Sequence, residues 1–84
     1  MPFAVYILRS LRNEKHYVGF TSRSVSERLA EHNRGHRGAW SFGNRPFEVI
    51  YQESYDSESE AHARERFLKT GKGREWLKSR LDQA

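Results

Sequence analysis

Phe3-Ala4-Val5-Tyr6-Ile7-Leu8 and, after a polar break, His16-Tyr17-Val18-Gly19-Phe20 are the stretches on which the fold turns. The first is an unbroken run of strand-forming apolar residues, which predicts a strand covered on both faces. Ser10 to Lys15 reads as the loop after it, and His16 to Phe20 as the return strand of a hairpin. Parity then makes a checkable statement. If the turn centres between Leu11 and Arg12, or on Arg12-Asn13, Tyr6 and Tyr17 share one sheet face, opposite or diagonal; a one-residue slip separates them.

Downstream, Ser24-Val25-Ser26-Glu27 has capping-box spacing, and a helix is expected from Val25 to about Asn33, with Val25 and Leu29 as a thin apolar stripe and Gly35 as its stop. Gly35 to Asn44, holding Trp40 and Phe42, reads as a loop. Phe47, Val49 and Tyr51 alternate with Glu48, Ile50 and Gln52, the period of a third strand. Ser57-Glu58-Ser59-Glu60 repeats the capping-box spacing and opens a second helix through Thr70, closed by Gly71; after Lys72-Gly73 a short last helix presents Trp76, Leu77 and Leu81. The order β-β-α-β-α-α predicts an α+β fold, a three-stranded, mainly antiparallel sheet flanked by helices. Residues 1–84 are expected to form one domain.

At 84 residues a single core is barely sufficient, so most aromatics are core by default. The chain has no cysteine, which excludes disulfides, thiol chemistry and thiolate zinc sites. Met1 to Leu8 lacks a basic start and is too short to span a bilayer, so a cytoplasmic, membrane-free protein is expected, with a monomer as the default state. Fifteen Lys plus Arg against eleven Asp plus Glu give a net charge of +4, which favours a polyanionic partner only weakly by itself. The distribution says more. Arg34, His36, Arg37 and Arg45 gather around a glycine-rich middle, and Lys69, Lys72, Arg74, Lys78 and Arg80 crowd the tail.

Among residues able to carry chemistry, Arg28 and His32 lie four apart, on one face of the first helix, where a guanidinium can reach an anion held at the sheet. Taken alone, such a pair reads as a solvated helix face. Glu65 falls between the core candidates Ala61 and Leu68, so its carboxylate emerges at the rim of the packed face, where it needs a cation; an i,i+4 ion pair with Lys69 is the plain alternative. His16, His36 and His62 show no metal-ligand spacing. Gly71-Lys72-Gly73 suits a phosphate cradle no better than a helix stop, and Ser24 and Ser26 are explained by capping.

Together these residues resemble the GIY-YIG nuclease family, in its small stand-alone bacterial branch. Ala4-Val5-Tyr6 stands for the first motif half and Tyr17-Val18-Gly19 for the second; Arg28 and His32 match the helix arginine and the residue four on; Ala61-His62-Ala63-Arg64-Glu65 matches the segment with the metal-binding glutamate. Arg45-Pro46-Phe47 and the ending Lys69 to Arg74 also look like that branch. Three departures stand out. Ala4 replaces the first glycine, the Thr21-to-Ser24 connection is one residue longer than usual, and no asparagine follows Asn44.

The resemblance implies a metal-dependent DNA endonuclease, structure-selective or weakly sequence-specific, in a repair or recombination setting. The alternative is a nucleic-acid-binding module on the same scaffold with little turnover. Glu65 would hold one Mg2+ or Mn2+, and Arg28 would neutralise transition-state charge. Tyr6 or Tyr17 would take the proton from water, which requires a nearby cation to lower its pKa; His32 would share that task or hold a phosphate. Val5, Val18 and Gly19 are motif positions, Gly19 allowing close approach of backbone or substrate. Arg34, Arg37, Arg45, Lys69, Lys72 and Arg74 would contact nucleic-acid phosphates.

Overall fold

The computed structural model describes residues 2–34 and 43–82. The expectations at Gly35, His36, Arg37, Trp40 and Phe42 lie outside the described residues. The elements are β1 (Phe3–Ser10), β2 (His16–Thr21), α1 (Val25–Arg34), β3 (Phe47–Tyr55), α2 (Glu58–Leu68) and α3 (Gly71–Asp82). The strands form one antiparallel sheet in the order β2-β1-β3, as the α+β reading anticipates.

β1 is central because it alone is apolar on both faces. Val5 and Ile7 pack against Ala61, Leu68 and Leu77 of α2 and α3, while Tyr6 and Leu8 pack with Phe47, Val25 and Leu29 on the α1 side. In the hairpin Tyr6 pairs with Gly19 and Leu8 with Tyr17, so the turn centres on Arg12-Asn13. Tyr6 and Tyr17 are therefore diagonal neighbours on one face, with ring centroids 6.5 Å apart. Strand β1 runs two residues beyond the expected Leu8, because Ser10 is buried and organises the turn. Its Oγ accepts the Arg12 and Asn13 amides at 3.1 and 3.3 Å, and Glu14 takes a left-handed φ of 64° to close it.

The third strand departs further from expectation. It continues four residues past Tyr51, and its register shifts between Ile7 and Leu8, leaving Ile50 as a bulge. The simple alternation is broken there. Phe47 and Val49 belong to the α1 face, whereas Tyr51 and Tyr55 belong to the α2–α3 face. The polar run after Tyr51 stays in the sheet because Glu53 is satisfied: it accepts hydrogen bonds from the Tyr51 and Tyr55 hydroxyls and two from Arg64, at 2.9 and 3.0 Å. Arg64 in turn lies 4.3 Å over the Trp76 ring, tying α2 and α3 to β3.

Both capping serines act as expected, Ser24 Oγ accepting the Glu27 amide at 3.1 Å and Ser57 Oγ the Glu60 amide at 3.3 Å. Gly71, however, does not close α2. It is the first residue of α3, capped by Thr70, whose Oγ1 accepts the Gly73 amide at 3.1 Å. That last helix is twelve residues long rather than short. Gly73 lies inside it because a Cβ there would stand 1.9 Å from the Phe67 carbonyl oxygen; the two helix backbones touch at this point. No helix among the described residues is long and apolar enough to cross a membrane.

Candidate active site

The Tyr6 hydroxyl is the atom around which the site is built. Tyr6 is fully buried, and its ring passes over Gly19: a Cβ on Gly19 would lie 2.5 Å from both Cζ and the hydroxyl oxygen. The close approach that the sequence reading assigned to backbone or substrate is thus made by Tyr6 itself. The hydroxyl meets two residues of α1. Arg28 Nε donates to it at 3.4 Å, and His32 Nε2 lies 3.2 Å away. The spacing of four residues puts both on the face that Val25 and Leu29 turn toward the sheet. Helix α1 is held there by Asn33, whose side-chain amide accepts the Phe47 N–H at 2.6 Å and donates to the Phe47 carbonyl at 3.3 Å. Tyr17 joins from β2, its ring centroid 4.6 Å from that of His32.

An arginine can only donate, so the Tyr6 oxygen accepts from Arg28 and its own O–H is available for His32 Nε2. That pairing needs a neutral imidazole. His32 meets the requirement, since burial and then the Arg28 charge hold its pKa below the usual value, against a smaller opposing effect of Glu31. Tyr6 moves the other way. Burial pushes its phenol above the ordinary value, outweighing the hydrogen bond and charge of Arg28, and the negative groups on Tyr17 and Glu65 add to the rise. Arg28 is the cation that the sequence reading required and it acts to lower the phenol, but burial outweighs it.

From α2, the Glu65 charge has the smallest of the effects that shift the Tyr6 phenol. One turn earlier, His62 lies against Phe20 of β2 at 4.1 Å between ring centroids. The Glu65 side chain is 18% exposed and is touched by Lys69 at 3.4 Å and His62 at 3.5 Å, both more exposed than itself. The i,i+4 pair with Lys69 anticipated as the plain alternative is therefore present. No group of three or more His, Asp or Glu among the described residues could cage a metal. A single hard carboxylate with displaceable neighbours suits a cation that keeps most of its waters, such as Mg2+ or Mn2+.

The remaining cations divide. Lys69 and Arg74 lie by the groove between β2 and α3, and Lys72 is exposed on the first turn of α3. Arg34 and Arg45 meet at the end of α1, where Arg45 donates to the Arg34 carbonyl at 2.6 Å.

The family model of the GIY-YIG catalytic domain matches residues 2–79. The chain belongs to the GIY-YIG nuclease family. A UPF0213 protein of Staphylococcus haemolyticus is 38% identical over 74 residues, 88% of this chain and 88% of that protein. A UPF0213 protein of Natronomonas pharaonis is 38% identical over 66 residues, 79% of this chain and 75% of that protein. No solved structure matches the chain.

Within this GIY-YIG domain one acid escaped the sequence reading. Glu31 bridges Arg28 at 2.7 Å and Arg23 at 2.6 Å, so the Arg28 guanidinium is gripped on one side by Tyr6 and on the other by a carboxylate. The Arg23 hydrogen bond, with Arg28, holds the Glu31 carboxyl below the usual carboxylate range. The i,i+3 spacing of Arg28 and Glu31 was the available signal. Arg23, the other guanidinium near the long Thr21-to-Ser24 connection, serves this clamp, and Arg28 is the one at the Tyr6 hydroxyl.

Proposed function

We propose that this domain is a metal-dependent endonuclease that hydrolyses DNA phosphodiesters, structure-selective or weakly sequence-specific, in a repair or recombination setting. The observation that carries the reading is the convergence of Arg28 and His32 on one buried tyrosine hydroxyl. Glu65 would hold the divalent cation, which when bound supplies charge neutralisation on the phosphate and the leaving oxygen. Arg28, fixed by Glu31, presents its guanidinium to a phosphate oxygen and stabilises the charge that grows there.

The raised Tyr6 pKa makes a resting phenolate a poor choice of base, so the proton is handed on. Water attacks phosphorus while its proton passes to the Tyr6 oxygen, and Tyr6 gives its own proton to neutral His32 Nε2. The P–O bond to the leaving oxygen breaks, and that oxygen is protonated from solvent. Tyr17, its ring tilted against that of His32, keeps the imidazole oriented.

The test is a cleavage gel on duplex, flap, branched and single-stranded DNA with Mg2+, with Mn2+ and with chelator, run beside binding on the same samples. Cleavage only with the cation, and a loss of about a hundredfold or more in Glu65→Ala at unchanged binding, is the expected result. Wild-type cleavage by Glu65→Ala would overturn the metal assignment. Binding with no cleavage under any condition would leave a nucleic-acid-binding module in place of an enzyme.

A further inference from the structure

His32 stands near the end of α1, where the helix has no apolar anchor. Its apolar contacts with the sheet come from Val25 and Leu29; beyond Leu29 it offers only Ala30, which is exposed, and polar side chains, of which His32 alone is buried. Such a helix end frays readily unless something ties it down. Two polar ties do so. Arg45 donates to the Arg34 carbonyl at 2.6 Å in an exposed position. In a partly buried one, the Asn33 carboxamide accepts the Phe47 N–H at 2.6 Å and donates to the Phe47 carbonyl at 3.3 Å. A carboxamide presents an acceptor and a donor side by side, so it pairs with both polar groups of one residue as a neighbouring strand would.

This clamp ends where the chemistry begins. Phe47, whose backbone Asn33 holds, is buried and pairs with Ser10 of β1, the strand that carries Tyr6. Its ring stands edge-on to the His32 imidazole, with centroids 6.0 Å apart. The same imidazole brings Nε2 to 3.2 Å from the Tyr6 hydroxyl. That contact has little room to lengthen, since by about 3.6 Å it is no longer a hydrogen bond, and a misplacement of about 1 Å can cost on the order of a hundredfold in rate. Resting on the nuclease reading above, we propose that Asn33 is a positioning residue for cleavage: its pairing with Phe47 sets the last turn of α1 so that His32 can take the proton from Tyr6.

The experiment combines single-turnover DNA cleavage, DNA binding, thermal melts and NOEs among the rings of Tyr6, Tyr17 and His32. The proteins are wild type, Asn33→Ala, Asn33→Asp and the control Leu81→Ala, which thins the packing on the other face of the sheet. Asn33→Ala is expected to bind DNA as wild type does and to cleave it about tenfold or more slowly, about 1.4 kcal/mol. It should lose the NOEs from His32 to Tyr6 and Tyr17 and keep the one between Tyr6 and Tyr17, which both belong to the sheet. Asn33→Asp still accepts the Phe47 N–H but sets an oxygen against the Phe47 carbonyl; it should fall between Asn33→Ala and wild type, and it keeps the test intact if the alanine variant fails to fold. Leu81→Ala should melt lower and retain its cleavage rate and all three NOEs.

A lower melt with wild-type cleavage and unchanged NOEs in Asn33→Ala would overturn the proposal while leaving the nuclease reading standing. An equal loss of rate in Leu81→Ala would do the same, because general loosening would then suffice. If wild type itself cleaves no DNA, the nuclease reading fails and this role in cleavage fails with it.

Discussion

On one face of β1, Val5 and Ile7 meet Ala61, Leu68 and Leu77, and contact among apolar side chains is all that the packing requires. On the other face Tyr6 is buried as completely, yet it carries a hydroxyl into the interior, and Arg28 and His32 are brought to it. Leaving such a group unsatisfied costs about 1–3 kcal/mol, so the second face needs an exact set of partners where the first needs only volume. Each face also has a glycine that makes room for a neighbour. Gly73 lets the α2 backbone touch α3, and Gly19 lets the Tyr6 ring cross β2. The comparison teaches that the α2–α3 face sets where the sheet stands, and the α1 face uses that fixed frame to hold reactive groups in register.

The comparison can be broken at its glycines. Gly73→Ala forces a methyl group into the Phe67 carbonyl, and the two helices must part. We expect a loss of roughly 2–3 kcal/mol, read as a fall in Tm of about 10 °C or more. Gly19→Ala should be the milder change in Tm, about half as large, because a side chain rather than backbone is displaced, while cleavage falls at least tenfold as the Tyr6 hydroxyl leaves Arg28 and His32. Equal activity loss at equal melting shift in the two variants would erase the distinction between the faces.

A smaller change sharpens the polar face. Arg28→Lys keeps the charge but loses the planar fork that spans Tyr6 and Glu31, and turnover should drop more than tenfold, about 1.4 kcal/mol; Arg34→Lys should leave it nearly unchanged. Wild-type turnover in Arg28→Lys would remove the guanidinium from the mechanism.

The smallest expected effect is a titration. His32 holds its proton less well in the folded state than in the unfolded chain. The stability it contributes is therefore present above the ordinary histidine value of ~6.5 and is lost as pH falls through the depressed value. NMR of the His32 ring should show a midpoint below ~6.5, and Arg28→Gln, by removing one of the two effects that depress it, should move the midpoint upward. A midpoint that stays in place would mean that Arg28 does not act on His32.

Much of this was legible in the sequence because it rests on short-range periodicity. The period of two placed Tyr6 and Tyr17 on one face, the spacing of four placed Arg28 and His32 together, and two Ser-x-x-Glu boxes marked helix starts. What escaped depends on partners far along the chain. The third strand's extension to Tyr55 was not read, because nothing local announces that Glu53 meets Arg64 on another element. Gly71 and Gly73 read as a break, since a glycine that permits two helices to touch looks no different from one that ends a helix. The direction of the Tyr6 pKa was hidden for a related reason: spacing supplies the cation, but only the packed interior supplies the burial that outweighs it.

The central claim is that the site is organised on one hydroxyl, and Tyr6→Phe removes that oxygen while leaving the ring over Gly19. Single-turnover cleavage, with binding and melting measured on the same preparations, tests it most directly. The account predicts near-normal binding, a small change in Tm and cleavage slower by about a hundredfold or more, the contribution expected of a positioned proton-transfer group. Cleavage by Tyr6→Phe at the wild-type rate would contradict it.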